Sequence, residues 1–223
     1  MSKILLVRHG QASFGADDYD NLSDLGHEQS RILGAALAAR GISADLVVAG
    51  QMKRHDQTAV GVLAGSGWSG DVAVDDGWNE FDHVQVLGVH AEPSTVEVED
   101  EKAAFQRWFE EATRRWTTGA DEASYDETFA AFGARVDAAM ERLVSSLPHS
   151  GTAVVLTSGG AIAWTAATLL ADDPAVRSEL WLRLNPVSVN SGVTTLVRGR
   201  RGTTLVAFNA HDHLPPPDLL TYR

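Results

Sequence analysis

Lys3-Ile4-Leu5-Leu6-Val7-Arg8-His9-Gly10-Gln11 is the stretch that decides the fold. Residues 3–7 form a short, unbroken apolar run, which predicts a strand buried on both faces of a parallel sheet rather than a half-exposed one. Arg8 and His9 follow directly, at the carboxyl end of that strand. In open parallel sheets ligands gather beyond the carboxyl ends of strands. A histidine there is a candidate nucleophile, and an adjacent arginine can hold an anionic group through paired charge-assisted hydrogen bonds. Gly10 would let the backbone come close to that anion.

Working outward, residues 23–40 carry a helical pattern, with Leu25, Ile32, Leu33, Ala36 and Leu37 on one face, Ser23 as N-cap and Gly41 as stop. Residues 45–49 predict a second buried strand and lead into a helix to about residue 63. A loop over 65–70 and a short edge strand at 72–74 follow. Residues 99–118 and 124–147 read as two helices. Phe105, Trp108, Phe109 and Trp116 give the first its apolar face, and Phe129, Phe132, Val136 and Leu143 the second. This pair is expected to be a helical insertion, about residues 92–148, packed over one end of the sheet. Residues 153–157 predict the third buried strand, Gly159-Gly160 opens a helix to 170, and another helix spans 174–184. Residues 187–197 and 203–208 predict a closing hairpin around Gly199-Arg200-Arg201-Gly202.

Strands alternating with helices predict an α/β protein: a three-layer α/β/α sandwich with a mostly parallel central sheet and one antiparallel edge strand, in a single domain over residues 1–223. The acidic run at 97–101 reads as a solvated helix start, and Arg198, Arg200 and Arg201 as an exposed turn.

Composition limits the function classes. The chain has 223 residues, 44% hydrophobic and 22% charged, with a formal net charge of −12. That charge argues against binding nucleic acid or anionic membrane, so an anionic substrate would need arginines concentrated locally. There are no cysteines, which excludes disulfides and thiolate metal sites. The eight histidines include no HExxH pair. The four-residue apolar run before Arg8 is too short for a signal peptide, so the expected location is cytoplasmic.

Three further stretches join the first. They are Leu22-Ser23-Asp24-Leu25-Gly26 with Gln29, the run from Gln51 to Ala59 that contains Arg54-His55-Asp56-Gln57-Thr58-Ala59, and Trp78-Asn79-Glu80-Phe81-Asp82-His83. Together with Arg8-His9-Gly10 they resemble the histidine phosphatase superfamily, which includes cofactor-dependent phosphoglycerate mutases. The resemblance covers roughly residues 3–65 and 150–215. It implies that His9 is the phosphoryl acceptor and that Arg8 and Arg54 are phosphate ligands. Glu80 would be the general acid, with Asp82 the second candidate. Gln11, Ser13, Gly159 and His83 are expected near the substrate.

At one position the sequence departs from the family pattern. The third core strand reads Val154-Val155-Leu156-Thr157-Ser158-Gly159-Gly160, so Ser158 stands where the resemblance leads one to expect a second histidine. One preorganised donor is worth about 2.7–4 kcal/mol in such sites, so activity would be weakened unless another group supplies the bond. His83 is the sequence's candidate to do so. His211 and His213 read as structural.

The leading expectation is a phosphomonoester hydrolase with a phosphohistidine on His9, acting on a small phosphorylated metabolite without cofactor or metal. Mutase-type phosphoryl transfer and a catalytically silent phospho-ligand binder are the alternatives. A nucleotide-binding oxidoreductase is set aside, because no GxGxxG follows the first strand. Nucleic acid and membrane are not expected partners, and a homodimer is left open.

Overall fold

The computed structural model describes residues 1–13, 20–90, 101–214 and 217–222. Six strands form one sheet in the order β3-β2-β4-β1-β5-β6. Strands β1 (Ser2–Arg8), β2 (Leu46–Ala49), β3 (Val72–Val74) and β4 (Thr152–Thr157) are parallel neighbours in that sheet. Strand β5 (Val193–Gly199) runs antiparallel to β1, and β6 (Gly202–Ala210) returns along it to form the edge. The predicted mostly parallel sheet with an antiparallel closing pair is therefore what the chain builds. The hairpin's first strand starts at Val193 rather than 187, because Val189-Asn190-Ser191-Gly192 is spent on turning behind the end of β1.

Alternation of side chains along β1 divides the core in two. Leu5 and Val7 face one layer, where α1 (Asp24–Ala39) and α2 (Lys53–Ser66) pack Leu33, Leu37, Ala59 and Val62 against them. Ser23 caps α1 by accepting the Gly26 N–H at 3.1 Å. Helix α2 runs one turn further than the sequence suggested, to a left-handed Gly67 with φ +71°.

Ile4 and Leu6 face the other layer, which holds α5 (Phe129–Ser146) and α6 (Gly159–Leu170). Here the expectation needs correction. The helical pair does not sit over an end of the sheet: Phe132, Val136, Ala139 and Leu143 of α5 join Ile4, Leu6, Ala153 and Val155 in one core. Helix α5 is thus a full member of the layer, because its apolar face is wide enough to cover strands rather than only a partner helix. Its neighbour α4 (Glu101–Thr117) reaches that core through Ala112 and Trp116, together with Trp181 of α7 (Pro174–Leu184). The first residues of the proposed insertion and most of the acidic run at 97–101 lie outside the described residues. A short helix not foreseen, α3 (His83–Val89), starts at an Asp82 N-cap that accepts the Val84 and Gln85 N–H groups.

Helix α6 runs through the middle of this layer, with every residue from Gly159 to Ala167 buried. Among the described residues no helix is long and apolar enough to cross a membrane.

Candidate active site

Parallel strands share an edge, and here β1 and β4 end side by side, with Arg8 in register with Thr157. His9 follows Arg8, and Ser158 follows Thr157. The His9 N–H donates to the Thr157 carbonyl at 2.9 Å, which ties the two strand ends together. Helices α2 and α6 begin at the same edge and bring Arg54, His55 and Gly159 to it.

His9 is 6% exposed. Its Nδ1 lies 2.7 Å from the Gly10 carbonyl oxygen. A carbonyl can only accept, so Nδ1 carries the proton and Nε2 keeps its lone pair. Burial lowers the His9 pKa well below the ordinary value; Arg54, Arg8 and His55 lower it further, against the opposing Gly10 bond. The ring is therefore neutral at neutral pH, as a nitrogen nucleophile must be. Gly10 is fixed in turn by its N–H to the Thr58 hydroxyl at 3.0 Å.

Both expected arginines reach this edge. Arg54 is 7% exposed and pairs with Asp20 at 2.6 Å, and the second oxygen of Asp20 accepts the Lys53 N–H at 2.8 Å. Arg8 donates to the carbonyls of Ser188 and Tyr222. The segment that supplies Tyr222 is anchored from several sides. Gln29 donates to the Leu219 carbonyl and the Thr221 hydroxyl, Thr221 bonds the Asn190 side chain, and Asn190 donates to the His9 carbonyl. None of this was legible from the tail sequence alone.

Glu80 is the carboxylate of the group. One oxygen accepts the Gly160 N–H at 2.9 Å and the other the Phe81 N–H at 3.2 Å. Its pKa is raised, chiefly by burial, against the lowering effects of those N–H groups and of Arg54 and Arg8. A Cβ on residue 160 would stand 2.1 Å from Glu80 Oε1, so only glycine lets the carboxyl seat there. The same bond occupies one of the N–H groups at the start of α6, where a helix N-terminus favours negative charge. Phe81 anchors the loop by stacking on Trp116 at 4.8 Å between centroids.

The other expected residues separate into two groups. Gln11 and Ser13 shape the loop from β1 to α1: Gln11 accepts from Ser23 through its side chain, and the Ser13 N–H donates to Asn21. Gly159 lies against Arg8, where an added Cβ would come 3.6 Å from Nε. His83 is half-buried at the start of α3, and burial, followed by Arg54, lowers its pKa.

The imidazole that bonds Ser158 is that of His55, whose Nε2 lies 2.7 Å from Ser158 Oγ. His55 is fully buried, and its ring centroid is 5.8 Å from that of His9. Sequence reading passed over it because it follows Arg54 inside a recognised helix start. Only the adjacency of α2 to the end of β4 gives it a partner. His213 bonds Ser191, whose N–H reaches the Arg8 and His9 carbonyls, and its pKa is lowered to about 4, mainly by burial.

A buried neutral histidine, two arginines and a carboxyl of raised pKa thus gather at the carboxyl edge of a parallel sheet, the kind of arrangement that marks a candidate active site. The chain belongs to the histidine phosphatase superfamily (branch 1), whose family model matches residues 4–211. A curated relative, a 2,3-bisphosphoglycerate-dependent phosphoglycerate mutase from Azorhizobium caulinodans, is 29% identical over 106 residues. That match takes in 44% of this chain and 52% of the relative, so the chain spans about half the length of the curated protein it matches. Among solved structures, phosphoglycerate mutase from Bacillus anthracis shares the fold at a TM-score of 0.69 and 17% identity, covering 95% of this chain and 94% of its own. A mycobacterial glucosyl-3-phosphoglycerate phosphatase does so at 0.64 and 22%, covering 94% and 99%. Phosphoserine phosphatase from Entamoeba histolytica also gives 0.64, at 17% identity, covering 96% and 100%.

Proposed function

We propose that the protein is a phosphomonoester hydrolase that forms a phosphohistidine on His9 and acts on a small phosphorylated metabolite. The observation that carries the reading is the His9 Nδ1–Gly10 carbonyl bond, which leaves the Nε2 lone pair for attack beside Arg8 and Arg54.

In the first step Nε2 bonds to phosphorus and the ester P–O bond breaks. The leaving oxygen takes the proton held by Glu80, whose raised pKa suits a general acid. In the second step water gives a proton to the Glu80 carboxylate while its oxygen bonds phosphorus. The P–N bond then breaks, releasing inorganic phosphate and restoring neutral His9. Arg8 and Arg54 offset the charge on the phosphoryl oxygens, the main demand of phosphoryl transfer.

The test is hydrolysis of an aryl phosphate from pH 4.5 to 8 by the parent and His9→Ala. Turnover in the parent that vanishes in the variant, with a phosphoenzyme trapped only in the parent, supports the reading; equal turnover in both ends it.

The mutase relative favours a second reading, return of the phosphoryl group to a bound alcohol. Following inorganic phosphate and phosphoglycerate isomers in one reaction separates the two.

A further inference from the structure

Ser158 is a serine at a helix start that does not do what such serines do. It occupies the N-cap position of α6, yet its hydroxyl makes no capping bond to that helix. Serine at this position ordinarily accepts an N–H from the first turn and stabilises the helix by about 1 kcal/mol. Among the described residues the one partner of Ser158 Oγ is His55 Nε2, at 2.7 Å, and both residues are fully buried.

The direction of that bond follows from the other ring nitrogen. His55 Nδ1 is buried and has no hydrogen-bond partner. It faces Gly50, where an added Cβ would come within 2.3 Å of it. A buried N–H left without an acceptor is rarer in proteins than a buried lone pair left without a donor. The proton therefore sits on Nε2 and is donated to Ser158 Oγ. The hydroxyl's own proton is then uncommitted, in a residue one step past the strand end that faces Arg8 and His9.

We infer that His55 and Ser158 form a donor relay for the phosphoryl group: His55 Nε2–H holds and polarises Ser158 Oγ, and Ser158 Oγ–H donates to a phosphoryl oxygen. Ser158 then touches substrate, and His55 is a positioning residue acting through it. Burial and Arg54 favour the neutral ring that the relay requires. The inference rests on the proposed reading of the His9 site and adds a second phosphoryl-binding arm to it, reached from α2 rather than from β4 alone. No proton changes owner within the relay.

The test reads affinity for orthovanadate, which mimics the five-coordinate phosphorus and does not depend on turnover. The chains compared are the parent, His55→Phe (which keeps the ring and removes both nitrogens), His55→Gln (which keeps a neutral N–H near Nε2), Ser158→Ala, and the His55→Phe/Ser158→Ala double variant. A hydrogen bond to a charged group sets the expected effect at roughly 10- to 100-fold in affinity. His55→Phe and Ser158→Ala should each lose about that much, and the double variant no more than either single one, because the two act as a unit. His55→Gln should recover part of the loss. With an aryl phosphate, kcat should fall in parallel while KM moves little.

Vanadate affinity unchanged in folded His55→Phe overturns the relay, as do losses that multiply in the double variant. If the parent binds vanadate but His9→Ala shows the same turnover, the His9 reading fails while the relay still stands or falls on affinity alone. A parent that binds no vanadate overturns both.

Discussion

Gly10 and Gly26 meet backbone to backbone: a Cβ on Gly10 would lie 2.3 Å from the Gly26 carbonyl oxygen, and one on Gly26 would lie 2.1 Å from the carbonyl oxygen of Gln11. Neither residue needs a left-handed backbone; what they need is contact. The start of α1 is pressed against the loop that holds the His9 ring, and backbone atoms cannot swing aside as a long side chain can. Gly10→Ala should therefore cost about 1–3 kcal/mol of stability, the usual range for overpacking. It should also shift the Gly10 carbonyl that fixes the His9 tautomer, and a displacement near 1 Å can lower kcat/KM by about 100-fold. Denaturant unfolding and aryl phosphate kinetics on the same sample check both effects.

Glu80→Gln should separate leaving groups. General acid catalysis is worth roughly 100- to 10,000-fold where the departing oxygen is basic. An alkyl phosphate should thus lose far more activity than a nitrophenyl ester, whose leaving group needs little protonation. In the parent, kcat on the alkyl substrate should decline as pH rises through the raised Glu80 pKa, because the acid form is lost. Equal losses on both substrates would remove Glu80 from the acid role.

Acid should destabilise the fold through its histidines. His9, His55 and His213 all have pKa values below the ordinary 6.5, with burial as the first cause in each. Above pH 6.5 they are neutral whether the chain is folded or not, and contribute nothing to the pH dependence. Below it the unfolded chain takes up protons that the folded chain refuses, so stability falls toward the folded pKa values. Each histidine contributes at most about 1.4 kcal/mol per pH unit. Thermal unfolding at pH 7.5 and 5.5 should show a smaller acid loss in His55→Phe than in the parent.

Arg54→Lys should not behave as a conservative change. The guanidinium can serve Asp20 with one nitrogen and an anion with others, whereas an ammonium acts as a point charge on a flexible stem. A loss of about 10- to 100-fold in kcat/KM is expected from one weakened charge-assisted bond. A variant with parental kinetics would remove Arg54 from phosphoryl binding.

Phe132→Ala tests the architecture apart from the chemistry. Phe132 is fully buried on α5 and packs against Phe81 and Trp116 at 6.0 and 5.7 Å between centroids. Truncation should cost about 3–5 kcal/mol. It should also loosen the Glu80 loop through Phe81, so stability and alkyl phosphate turnover should fall together.

Local sequence carried the strands, because continuous apolar runs such as residues 3–7 and 153–157 have few alternatives to burial in a parallel sheet. It also carried His9, Arg8 and Arg54 to one edge, since each follows a strand or opens a helix there, whereas Glu80, in a loop between two short helices, was indicated by the family resemblance alone. What it could not carry were relationships between segments distant in sequence. His55 lies 103 residues from Ser158, and no periodicity within α2 reveals which strand end its imidazole meets. The α5 pattern reported an apolar face without saying whether helix or sheet would cover it. Short α3 was missed because seven residues hold too little periodicity to stand out.

The backbone around His9 has a consequence for the order in which the protein becomes competent during synthesis. Residues 8 and 9 leave the ribosome long before residues 190, 191 and 222, yet their carbonyls and the Arg8 side chain are held by Asn190, Ser191 and Tyr222. A nascent chain with β1, α1 and α2 already emerged thus lacks the groups that fix its own nucleophile. Competence would arrive late and almost all at once, so a ribosome stalled short of Tyr222 would carry the site's residues without a working site.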